Sequence, residues 1–142
     1  MKKSIVGLSL FLINLVYAQQ GVLGEWKTID DDTGIAKSIV EIYEKDGKVF
    51  GKIKRILRED KRDDRCTKCE GELKNQKIEG MVILKHLTKD GDKYEDGTVI
   101  DPENGKSYDA KIWLSEDDPD TLLVRGYIAF LYRTQKWKRH KA

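Results

Sequence analysis

Apolar and polar residues alternate with a period of two along much of this chain. In 48–57, Val49, Gly51 and Ile53 share one face while Lys48, Lys52 and Lys54 share the other, the pattern of a half-buried strand. Residues 107–114 repeat it, with Tyr108, Ala110, Ile112 and Leu114 opposite Ser107, Asp109 and Lys111, and Trp113 on the polar side. Turn signals punctuate these runs: Asp46-Gly47, Asn104-Gly105 and Asp117-Asp118-Pro119-Asp120, residues that supply the backbone angles of a reversal. Adding 25–29, 38–44, 81–87, 94–100, 121–130 and 133–139 predicts an all-β chain of about eight antiparallel strands. Pairing the first strand with the last removes both sheet edges, so a small closed barrel is expected. Such a barrel has room for side chains or for one small ligand.

Three stretches complicate the pattern. Met81, Leu84 and Leu87 also fit helical spacing, so a short helix competes with a strand there. Residues 59–77 are charged, aperiodic and contain both cysteines, and are expected to form a long loop. In the seventh run, Leu122, Val124, Gly126, Ile128 and Phe130 form one apolar face, with Thr121, Arg125, Tyr127 and Ala129 opposite. Arg125 and Tyr127 therefore either stand outside the barrel, solvated or paired, or enter an amphipathic lumen as polar handles for a ligand.

The amino terminus changes the setting. Lys2 and Lys3 precede the apolar run 5–16, and Val16-Tyr17-Ala18 places small residues at a cleavage-like junction. Residues 1–18 are expected to be a secretory leader, with one mature domain over 19–142 in the periplasm or medium. The run is too short for a spanning helix, and no other segment is apolar enough to serve as one. The chain carries 27 basic and 25 acidic residues, and loss of the two leader lysines balances them. A neutral chain gives no electrostatic reason to expect nucleic acid as a partner. A basic cluster at Lys52, Lys54, Arg55 and Arg58 and another at Arg133, Lys136, Lys138, Arg139 and Lys141 read as solvated strand faces.

Chemistry-bearing motifs are few. Cys66 and Cys69 are the two cysteines, and in an oxidising compartment a disulfide is the leading reading. A redox centre would need a thiolate-stabilising helix start, whereas Asp63, Asp64, Glu70 and Glu72 flank the pair and oppose thiolate formation. A zinc site would need two more ligands, and His86 and His140 do not stand at a zinc-module spacing. Asp30-Asp31-Asp32-Thr33-Gly34 and 101–106 collect carboxylates, yet turn chemistry explains both without calcium. No nucleophile stands beside a base in sequence, and neither a catalytic set, a metal nor a cofactor is expected.

Gly24-x-Trp26 at the first strand with a basic residue on the last is similar to the lipocalin signature. More broadly, Gly24-Glu25-Trp26 with Thr28-Ile29-Asp30-Asp31, Cys66-x-x-Cys69, Ile100-Asp101-Pro102-x-Asn104-Gly105-Lys106-x-Tyr108, Val124-Arg125-Gly126-Tyr127 and Arg133-Thr134-Gln135-x-Trp137 resemble the bacterial family called domain of unknown function 2147. The resemblance spans nearly all of 19–142 and implies an exported, lipocalin-like barrel without an assigned activity. It also implies structural roles for Trp26 and Trp137, a tryptophan-covering role for Arg133 or Arg139, and a Cys66–Cys69 loop disulfide. The sequence departs at Tyr132, where the family motif often has glycine.

The resulting expectation is a binding protein rather than an enzyme, holding a small apolar or amphipathic ligand in the barrel near Val49, Ile53, Tyr108, Ile112, Arg125 and Tyr127. The alternative is an envelope structural or protein-interaction module. Its barrel would be filled by side chains, and it would use Trp113 and the basic last strand as a contact.

Overall fold

A computed structural model describes Gly7 and residues 21–141. The expected leader otherwise lies outside the described residues. Eight strands run up and down in sequence order: β1 (Gly24–Ile29), β2 (Ala36–Lys45), β3 (Lys48–Ile56), β4 (Val82–Asp90), β5 (Lys93–Asp101), β6 (Lys106–Leu114), β7 (Thr121–Ile128) and β8 (Leu131–Arg139). Each pairs antiparallel with its neighbours, and β8 returns to β1 through Trp26↔Arg139 and Lys27↔Lys138, closing the barrel. Closure satisfies the edge hydrogen bonds that an open meander would expose.

The tight turns follow from local chemistry. Asp46 (φ 52°) and Gly47 (φ 76°) join β2 to β3 in the left-handed conformations that a two-residue hairpin requires. The segment with mixed spacing is a strand, and its i, i+3 pattern has a geometric cause. Gly51 pairs with Leu84 and Val49 with Leu87, so three steps on β4 face two on β3. His86, at φ 59°, is the extra residue of this bulge, which returns Leu87 to the same interior face as Leu84. Opposite the bulge, Gly97 runs so close that a Cβ there would lie 2.3 Å from the Lys85 carbonyl oxygen.

Val40, Leu84, Leu87, Ile112, Leu122 and Trp26 are all 0 % exposed. A void large enough for water would register as accessible surface on these inward side chains, so the lumen at their level is filled. The core is thus the barrel interior, built from alternate residues of every strand.

One end is sealed by tryptophan. The Trp26 indole N–H donates to the Val22 carbonyl at 2.9 Å, and the Arg139 guanidinium lies 4.3 Å from the Trp26 ring centroid. Arg139 is held by Asp120 at 3.0 Å and by the carbonyls of Gly21 and Pro119, each at 3.1 Å. Trp137 is also buried, and its indole N–H donates to Gln135 at 3.1 Å.

The opposite end carries the β1–β2 loop, residues 57–81, the β5–β6 turn and the β7–β8 hairpin. Residues 57–81 contain two single 3-10 turns, Glu59–Lys61 and Gly71–Leu73, and an isolated bridge between Arg65 and Lys77. Cys66 and Cys69 form a disulfide that packs into the core. Cys66 Sγ lies 3.5 Å from the Pro102 carbonyl oxygen. Gly105 (φ 73°) touches the same loop so closely that a Cβ would fall 2.0 Å from the Lys68 carbonyl oxygen. The loop therefore roofs part of this end through the β5–β6 turn.

Candidate functional site at the open end of the barrel

Inward residues change character along the barrel axis. Below the roofing loop, Ile112 pairs across to Val124 and Leu122 to Trp137, an apolar fill with no polar group to orient a ligand. Towards the loop end, alternation turns Thr28, Ser38, Ile56, Val99, Tyr108, Gly126 and Gln135 inward. Of these only Ser38 is buried. The Thr28 and Ser38 hydroxyls lie 2.7 Å apart, and the Tyr108 hydroxyl accepts from Asn104 at 3.0 Å. Here hydroxyls, an amide and aliphatic carbons stand together at the loop end of the lumen, most of them only partly buried.

The residues expected to surround a ligand do not form one group. Val49, Ile53 and Ile112 are buried core, below the partly buried loop end. Tyr108 is half-buried at the loop end, in contact range of Gly126. Arg125 and Tyr127 are on the outside of the barrel, which corrects the expected lumen position. With Leu122 and Val124 packed in the core, alternation leaves no other direction for them. The Arg125 guanidinium lies 4.9 Å from the Trp113 ring and 4.1 Å from the Tyr132 ring, and its Nε donates to Thr134 at 2.8 Å. Arg139 is the tryptophan cover. Arg133 instead pairs with Asp31 at the open end, which raises its affinity for the proton through that hydrogen bond and charge.

The Asp30 cluster is a turn: its carboxylate accepts from the backbone N–H groups of Asp32 and Thr33, each at 2.9 Å. Hydrogen bonding from Thr33 and then Asp32 holds the Asp30 carboxyl below the ordinary aspartate range. Among the described residues no group of three or more His, Cys, Asp and Glu side chains is placed to hold a metal ion.

Two further features lie outside the lumen. A groove of about 840 Å³ on the outer wall, between β2–β4 and residues 72–80, is lined by Tyr43, Phe50, Leu73, Met81 and His86 among others. Phe50 stacks with Tyr43 at 5.8 Å and meets His86 edge-on at 5.0 Å. At the open end, the β7–β8 hairpin exposes Ile128 (58 %), Phe130 (89 %), Leu131 (64 %) and Tyr132 (61 %). The turn falls about two residues before the expected break, because Ala129 takes φ 53° where glycine or asparagine normally marks such a conformation.

A closed eight-stranded up-and-down barrel, sealed at one end by a tryptophan under an arginine and partly open at the other, is a lipocalin-like architecture. The chain belongs to the family described as "uncharacterized protein conserved in bacteria" (DUF2147), which it matches over residues 24–139. Among solved structures it is similar to protein HP1028 of Helicobacter pylori, described as belonging to the lipocalin family. The two share 20 % identity and a TM-score of 0.70, over 84 % of this chain and 82 % of that one. No match is found among curated proteins. No helix among the described residues is long and apolar enough to cross a membrane.

Proposed function

We propose that this is an exported binding protein that takes a small amphipathic molecule at the open end of the barrel, not deep within it. The observation that carries the reading is the change from fully buried aliphatic residues to a mixed, half-exposed lining along the lumen. Thr28, Ser38, Tyr108 and Gln135 supply donors and acceptors for a polar group, and Ile56 and Val99 supply apolar contact, the composition of a small-molecule site. In this reading Val49, Ile53 and Ile112 form the floor, while Arg125 and Tyr127 take no part. Export is supported by the leader-like residues 1–18 and by the Cys66–Cys69 disulfide.

The test is native mass spectrometry of protein released gently from its own cells, followed by binding of the recovered molecule to variants. A mass excess lost on denaturation, with affinity reduced about tenfold or more by Tyr108→Ala and unchanged by Tyr127→Ala, supports the reading. An affinity lowered by Tyr127→Ala and untouched by Tyr108→Ala would sink it.

The filled lower lumen also favours a second reading, an interaction module that holds no small ligand. An apo mass from every preparation, with loss of a protein partner on Trp113→Ala at unchanged stability, would select that one.

A further inference from the structure

On the outer wall of β6, β7, β8 and β1, basic residues face one another directly. Lys27 pairs in register with Lys138, and Lys111 with Arg125. Like charges directly opposite destabilise a sheet. Elsewhere in the barrel such a conflict is relieved: Glu25 faces Glu41, and Lys54 bridges them at 3.3 and 3.9 Å. On this wall Lys111 reaches Glu95 at 3.5 Å. Lys27, Lys93, Arg125, Lys136 and Lys138 have no carboxylate within 4.0 Å among the described residues.

Aromatic rings separate these cations. Lys93 lies 5.2 Å from the Trp113 ring, Arg125 sits between Trp113 and Tyr132, and Tyr127 meets Tyr132 at 6.0 Å between ring centroids. Tyr127 and Tyr132 join this wall to the hairpin tip, where Ile128, Phe130 and Leu131 project into solvent. An apolar cluster on a protruding tip marks an interaction site. Ala129 holds φ 53° there, a conformation unfavourable for a residue with a Cβ, and so keeps an apolar residue where a polar turn would be more stable.

Apolar residues at a tip, tyrosines beside them, and lysines and an arginine around Trp113 behind form a sequence of layers. It matches the layers of a lipid leaflet: acyl chains, the interfacial zone and anionic headgroups. We propose that the β7–β8 hairpin inserts shallowly into an anionic bilayer while the adjoining basic wall lies against its headgroups. The acidic residues turned outward there, Glu25, Asp109 and the paired Glu95, are fewer than the cations. This docking is independent of what the barrel holds, and it places the open end of the barrel beside the leaflet.

The experiment is vesicle co-sedimentation of the protein as its cells process it, with phosphatidylglycerol–phosphatidylethanolamine vesicles set against phosphatidylcholine vesicles. Trp113 emission serves as a second readout, since Trp26 and Trp137 are buried. Binding to the anionic vesicles should weaken with salt, and brominated lipid should quench Trp113. Replacing Phe130 and Leu131 together by Ser should lower the partition coefficient more than tenfold. Each of Lys93→Gln and Lys136→Gln should lower it about fivefold. Near-UV circular dichroism checks that the exposed substitutions leave the fold intact. Equal binding to phosphatidylcholine, or a hairpin variant that binds as well as the parent, overturns the proposal. So does absence of vesicle binding together with a concentration-dependent dimer that the hairpin variant abolishes, which would make the tip a contact between copies.

Discussion

Replacing Ile112 by Ala tests whether the lower lumen is a packed core or a ligand chamber. Ile112 is fully buried on β6, opposite Tyr94 and Val124. The substitution deletes three carbon atoms, and at about 0.8 kcal/mol for each buried methylene the transfer cost is about 2.4 kcal/mol. A residual cavity on the order of 50 Å³, at about 24 cal/mol per Å³, adds about 1 kcal/mol. The expected loss is therefore about 3.5 kcal/mol, a large part of the stability of a small domain. Urea unfolding followed by far-UV circular dichroism and by tryptophan emission should give coincident curves, with the midpoint lowered by about 2 M. A loss below about 1 kcal/mol would refute the reasoning, because a side chain beside an existing void has few contacts to forfeit. The lower lumen would then be the ligand site, and Val49 and Ile53 would return as contacts rather than floor.

Three further outcomes are expected. Arg139→Met should lower stability by about 2 kcal/mol, because it removes the cation from the face of Trp26 together with its hydrogen bonds. Arg139→Lys should recover less than half of that in a thermal melt, since an ammonium lacks the planar fork. Cys66→Ser with Cys69→Ser should cost about 2 kcal/mol, the low end for a cross-link closing so short a loop, and limited proteolysis should then cut within 57–81. If the double variant resists proteolysis like the parent, the disulfide does not hold the roof. Acid should open the sealed end. Asp120 is held below the ordinary aspartate range by Lys141 and then Arg139, and Asp118 by the N–H of Asp120 and then by Thr121. Both groups contribute stability that is complete above the unfolded-state value of about 3.9 and is lost as pH falls through their lower folded values. The Trp26 near-UV signal should be flat from pH 7 to 5 and decline below about 4; a decline centred above pH 5 would assign the seal to other groups.

Some of the site was legible in residue order and some was not. Trp113 reads as outward from the period of two, and the structure places it there. Arg125 and Tyr127 share a strand face with Thr121, but alternation alone does not say which face is inside. That choice is made by the partners across the barrel, where Val124 meets Ile112 and Gln135. Tyr132 completes the stacking around Arg125. The reversal between the seventh and eighth strands falls at Ala129–Phe130, about two residues before the expected break between 121–130 and 133–139, because the turn residues carry no turn chemistry.

Alternation and turn residues by themselves determined that this chain is all-β, that it has about eight strands and that an antiparallel barrel suits them. These are local properties, set within a few residues by side-chain direction and backbone preference. Only the tertiary structure decided that Leu84 and Leu87 share the interior through a bulge, that Arg139 and not Arg133 covers Trp26, and that the lower lumen is filled while its upper end is not. Each of these depends on residues far apart in the chain whose distance is set by register around the closed barrel, and a shift of one residue would reverse every face.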